Sequence, residues 1–166
     1  MREYVRDRDR LEHIVEAIDN ILNYSNTKTI EELEADKLRY YGIVKNVEII
    51  GEAAYKLTRA FRHQHPDTPW EFITGMRHVL VHDYYQIKPA EVWKVIQEDL
   101  QPLREQVARY LSATDWTAWE KDESVIAETI TSKNNENMAR RMKIKGYPIA
   151  DIAYITGLSV EDIEML

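Results

Sequence analysis

YGIVKNVEIIGEAAYKL, residues 41–57, is the stretch that decides the architecture. Its apolar positions Ile43, Val47, Ile50, Ala54 and Leu57 recur at alternating steps of four and three, the seam of a helix packed nearly antiparallel against neighbours. The pattern predicts one long helix over roughly 36–63. Toward the N-terminus, Leu11, Ile14, Val15, Ile18, Ile21 and Leu22 repeat the same periodicity, so a first helix should end near 23–26. Between the two, Thr29-Ile30-Glu31-Glu32 is a capping box that opens a short helical turn.

Toward the C-terminus, His65-Pro66-Asp67 breaks the chain. Thr68-Pro69-Trp70-Glu71 then restarts it with an N-cap Thr and Pro at the first helical position. A third helix should run to about His82. Lys88-Pro89 opens a fourth through Val92, Val95, Ile96, Leu100, Leu103, Val107 and Leu111, with Pro102 expected to interrupt it near Leu100. The fold class is therefore all-α, an antiparallel bundle of four main helices with a short helical C-terminal appendage. Residues 1–111 form the bundle, 112–137 read as an acidic and polar linker, and 138–166 read as a helix-turn-helix-like tail with Gly146, Pro148, Gly157 and Ser159 as its punctuation.

Composition narrows the function. A chain of 166 residues is sized for one globular domain with an appendage. It has no cysteine, which excludes disulfides, thiolate catalysis and Cys-based zinc sites. The charged start MREYVRDRDR is no signal peptide, and no apolar run reaches the roughly 20 residues of a membrane span, so the expected location is cytoplasmic, away from any membrane. A net charge of −7 argues against broad nucleic-acid binding and leaves a local phosphate site open.

GMRHVLVHDYY, residues 75–85, carries the chemistry. Arg77, His82 and Tyr84 occupy the fixed positions of an R-x4-6-H-x-Y signature, and the segment resembles the HepT-like ribonuclease toxins of the HEPN superfamily. YGIVKNVEIIGEAA (41–54), HPDTPWEFI (65–73) and EVWKVIQEDLQPLREQ (91–106) look like segments of the same family, so the resemblance covers about residues 6–111. Two positions depart from it: His78 stands where the family usually has Asn after the motif Arg, and Lys45 where it commonly has Arg. The resemblance implies a HEPN-type bundle and an endoribonuclease toxin active as a homodimer with facing motifs. It also implies a partner, a MntA-like nucleotidyltransferase antitoxin that neutralises the toxin by AMPylation of Tyr84.

The residue chemistry supports that reading on its own. Cleavage of RNA without metal or other cofactor needs a group that moves a proton near neutral pH and a fixed cation facing the phosphoryl oxygens. His82 suits the first role because imidazole titrates near pH 6.5. Arg77 suits the second, since its fork matches phosphate oxygens and stays charged. RNA supplies its own nucleophile, the 2′-hydroxyl. His78, Asp83, Lys45 and Asn46 are candidate substrate-binding residues. On an ideal helix Arg77 and His82 lie about 140° apart, so they converge only if the helix ends or distorts near His82 or a second protomer completes the site. Arg77 and Tyr84 nearly align, and AMP on that phenol would place a phosphodiester where substrate phosphate must bind.

Other readings compete. His78 and His82 have the i, i+4 spacing of a metal pair, yet no Glu follows His78 and no third ligand is evident, so no metal is expected. Lys45, Glu48, Glu52 and Lys56 read first as a solvated salt-bridge stripe, with Lys45 and Asn46 lining an RNA groove as the alternative. The tail is similar to the C-terminal tail of recombination-promoting nuclease and transposase-like proteins. Its final helix carries Glu161, Asp162 and Glu164, which favours docking or oligomerisation over DNA reading. The alternatives to the nuclease are a catalytically silent helical interaction module and a tail-mediated DNA-binding regulator.

Overall fold

The computed structural model describes residues 6–25, 28–82 and 87–166, without the side chains of His78, Val81 and His82. Every regular element among the described residues is an α-helix, as the helical periodicity requires. The chain forms two compact units, residues 6–116 and 117–166.

In the core unit, α1 (Asp7–Ser25) turns Leu11, Ile14, Ala17, Ile18 and Ile21 fully inward. These side chains pack on α3 (Lys37–Tyr55), which buries Tyr40, Ile43, Val47, Ile50, Ala53 and Ala54. The short α2 (Ile30–Ala35) carries the expected capping box: Thr29 Oγ1 accepts from Glu32 N and the Glu32 carboxylate accepts from Thr29 N. Beyond the short α4 (Arg59–Gln64), α5 (Trp70–His82) packs against α3. Then α6 (Pro89–Glu98) and α7 (Leu100–Ala113) follow, and α7 closes on α1 through Leu100, Leu103 and Val107. The interruption expected from Pro102 falls at Asp99, which puts the proline in the first turn of α7, where a missing N–H leaves nothing unpaired. A two-pronged ion pair from Arg104 to Asp19 ties α7 to α1 outside the apolar seam.

The helix expected over 36–63 is instead two helices. It stops at Tyr55, and Thr58 begins α4 by accepting from Phe61 N. The cause is remote in sequence: Asp7, buried at the start of α1, accepts from Thr58 N at 2.8 Å and from Thr58 Oγ1 at 2.7 Å. A buried carboxylate must be hydrogen-bonded, and breaking the helix here frees the N–H that satisfies it. Thr68 also departs from its expected role as a cap, its hydroxyl being 2.7 Å from that of Tyr110. It joins an aromatic cluster of Phe61, His65, Trp70, Tyr110 and Trp116, in which the His65 and Tyr110 ring centroids lie 4.0 Å apart. Burial there lowers the His65 pKa below its ordinary value.

α8 (Trp116–Trp119) leads from the first unit into the second. The C-terminal unit contains α9 (Glu123–Ile144), α10 (Ile149–Thr156) and α11 (Val160–Met165). The polar run Ser132–Asn137, read from sequence as linker, lies inside α9. Helix-favouring Glu, Ala and Lys residues and an Asp122 N-cap carry the helix through it, with mostly exposed side chains. The tail's punctuation is where expected: Gly146 and Gly157 adopt positive φ, and Ser159 caps α11 by accepting from Asp162 N. Ala139, Ile152 and Ile163 form its small core. No described helix is long and apolar enough to cross a membrane.

Candidate functional site

Gly51 sets the distance between α3 and α5. A Cβ on it would lie 2.9 Å from Arg77 Cβ and 3.1 Å from the Ile73 carbonyl oxygen, closer than side chains normally approach. A glycine inside a helix costs about 1 kcal/mol relative to alanine, so its presence here is explained by the close approach it allows.

That approach buries Arg77, which is 8% exposed. Its Nε lies 2.5 Å from Glu52 Oε2 on α3, an ionic contact in which the N–H is not aligned on the oxygen. The guanidinium carbon stands 5.0 Å from the Tyr55 ring centroid, within cation–π range. Glu52 also receives Lys56 Nζ at 3.0 Å, so one carboxylate faces two cations. The result is an arginine whose charge and direction are set before any substrate arrives, the arrangement that favours stabilisation of developing phosphoryl charge.

Glu52, Tyr55 and Gly51 are the members of this constellation that sequence reasoning did not single out as site residues. Glu52 had been read as part of a solvated stripe. The stripe is real at Lys45–Glu48, 2.7 Å, and at Lys56–Glu52, but Glu52 also turns to Arg77. The signal available was the glycine: Gly51 interrupts an otherwise well-formed helix directly before Glu52.

The other predicted residues divide by position. Lys45 is exposed and paired with Glu48. The Asn46 amide donates to Gly42 O at 2.8 Å and accepts from Asn20 of α1 at 3.3 Å, so it is engaged within the bundle. Lys45 precedes Glu52 by seven residues, about 10 Å along the α3 axis, and is not gathered around Arg77. His78 and His82 lie on α5 with Arg77, and His82 is its last described residue; their side chains are outside the described set. Asp83 and Tyr84 lie outside the described residues. Among the described residues, no group of three or more His, Asp and Glu side chains is placed to hold a metal ion.

Comparison with known proteins agrees with the motif. "Probable ribonuclease HepT" of Thermococcus cleftensis is 33% identical over 97 residues, 58% of this chain and 88% of that protein. "Putative RNase TTE0752" of Caldanaerobacter subterraneus subsp. tengcongensis is 32% identical over 104 residues, 63% of this chain and 93% of that protein. No solved structure matches. The family model described as Ribonuclease HepT-like matches residues 14–110, which takes in both helices of the Arg77 site. The chain belongs to the HepT-like ribonuclease family.

Proposed function

We propose that this protein is the endoribonuclease toxin of a toxin–antitoxin pair, cytoplasmic and active as a homodimer, cutting RNA without a metal ion. His82 acts as general acid and base: it takes the proton from the 2′-hydroxyl as that oxygen attacks the phosphorus, and the departing 5′-oxygen is protonated in turn. Arg77 holds the phosphoryl oxygens while charge builds on them. The observation that carries this reading is the fixing of Arg77 by Glu52 and the Tyr55 ring in a chain of ribonuclease family membership. Exposed apolar side chains on the same two helices, Leu38 and Tyr41 of α3 and Val79 of α5, support association of two copies.

Gel-based RNA degradation by purified protein tests the mechanism. Arg77→Ala and His82→Ala should each lower cleavage by about 100-fold or more, on the scale of losing one transition-state donor or a proton-transfer group, and wild-type cleavage should survive EDTA. Full activity in His82→Ala, or EDTA inactivation reversed by zinc, would sink it.

Neutralisation is assigned to Tyr84, as the acceptor of AMP from a MntA-like nucleotidyltransferase. After incubation with that enzyme, ATP and magnesium, intact-mass spectrometry should show AMP additions to wild type and to Tyr85→Phe but none to Tyr84→Phe. Additions that map to Tyr85 would overturn the assignment.

A further inference from the structure

A second cationic feature stands apart from Arg77 at the start of α5. Arg59, Arg62 and His63 of α4 face the first turn of α5 across an open cleft of about 770 Å³, room for a nucleotide-sized group. Phe72 is 62% exposed on the α5 side. The lining brings two guanidiniums and one carboxylate, Glu71, to the cleft of a chain whose net charge is −7.

Arg62 is half-buried with its Nε shielded from solvent, so its side chain is held in place beside the cleft. An exposed phenylalanine ring beside arginines is the combination that binds single-stranded nucleic acid: cations for the backbone and a flat apolar face for a base. Phe72 and Arg77 are on one helix, five residues and about 7.5 Å apart along its axis and about 140° apart around it, so the cleft lies on a different face of α5 from Arg77.

We propose that this cleft is a subsite for single-stranded RNA, in which Arg59 and Arg62 contact backbone phosphates and the Phe72 ring stacks on a base. The proposal rests on the ribonuclease reading of the chain and adds to it a place that grips the substrate away from the cleaved bond.

The test uses the full-length protein and a fluorescein-labelled, 2′-O-methylated single-stranded oligoribonucleotide, which lacks the nucleophile and is not cut. Its affinity is read by anisotropy over a range of salt. Phe72→Ala should weaken binding about tenfold with little change in salt dependence, and Phe72→Leu should do the same, because it keeps apolar bulk but has no π face. Arg59→Gln with Arg62→Gln should lower the slope of log affinity against log salt by about 1.4, or 0.7 for each lost phosphate contact. Wild type that fails to bind the strand, or variants that bind it as wild type does, would overturn the subsite. Cleavage of the unmodified strand in parallel keeps the two readings apart. A wild type that cuts RNA while the cleft variants bind normally removes the subsite and spares the nuclease. A wild type that binds through the cleft and cuts nothing removes the nuclease reading instead.

Discussion

The core unit and the C-terminal unit are both helical, but they are held by different means. Residues 6–116 bury large apolar side chains from α1, α3, α5, α6 and α7 in one seam. That seam is extensive enough to tolerate a buried Asp7 and a nearly buried Arg77, each a cost unless its partners are supplied. Residues 117–166 have three side chains at the centre of their small cluster, Ala139, Ile152 and Ile163. Met142, Ile149, Ala153, Leu158 and Leu166 pack around them, and helix-end chemistry adds to this: Gly146 and Gly157 at positive φ, the Ser159 cap, and Lys143 Nζ donating to the carbonyls of Ile163 and Glu164 at the end of α11. A unit with a large core can hold charges that burial by itself would disfavour. In the smaller unit the buried residues are fewer, and Lys143 and Asp122 serve helix ends.

The largest expected effect breaks the comparison directly. Ile18→Ala removes a fully buried side chain from the core unit and should cost about 2–5 kcal/mol in urea unfolding. Ile152→Ala, equally buried in the tail, should leave the main transition unmoved and show only as faster proteolysis within 117–166. Deleting 117–166 while keeping Trp116, whose ring stacks on Phe61 and whose Nε1 donates to Leu111 O, should leave a cooperatively folded core. A truncated chain that loses its helical signal, or an Ile152→Ala transition shifted as far as that of Ile18→Ala, would show that the two units are one.

A smaller effect is expected at Gly51. Alanine gains about 1 kcal/mol of helix propensity, but overpacking against Arg77 Cβ and the Ile73 carbonyl costs about 1–3 kcal/mol, so the net change should be a modest loss. RNA cleavage should fall further than stability does, because the displaced atom belongs to the proposed phosphate clamp. A Gly51→Ala protein that is more stable and fully active would show that the close approach of α3 and α5 is incidental.

The smallest effect concerns His65. Its pKa is lowered by burial in the aromatic cluster, so the folded state binds its proton less readily than the unfolded chain does. Its contribution is whole above the ordinary value of about 6.5 and is lost as pH falls from there toward the lowered folded value. The thermal midpoint should therefore drop between about pH 7.5 and pH 5.5, and His65→Phe should flatten that part of the profile. An unchanged profile in the variant would assign the acid sensitivity to other groups.

The helices themselves were legible because their signals are local or periodic. The seam from Ile43 to Ala54, the capping box at Thr29, the break near Leu100 and the tail's Gly157 and Ser159 all act within a few residues of where they stand, and each is where the pattern puts it. The RHVLVH run pointed to chemistry by residue type alone: Arg and His can supply the cation and the titratable group that RNA cleavage asks for, the roles proposed for Arg77 and His82. What the amino-acid order alone could not decide were the contacts between distant segments. The break at Thr58 exists because Asp7, 51 residues earlier, needs its N–H and hydroxyl. Ser132–Asn137 looks like linker by composition but continues a helix begun at Asp122. Glu52 reads as one charge in a solvated stripe until the missing Cβ of Gly51 lets α5 close on α3 and brings Arg77 against it. Periodicity fixes which face of a helix is buried. Only packing decides which charge on its border meets a partner from another helix, because that depends on the separation of two backbones and not on the spacing along either one.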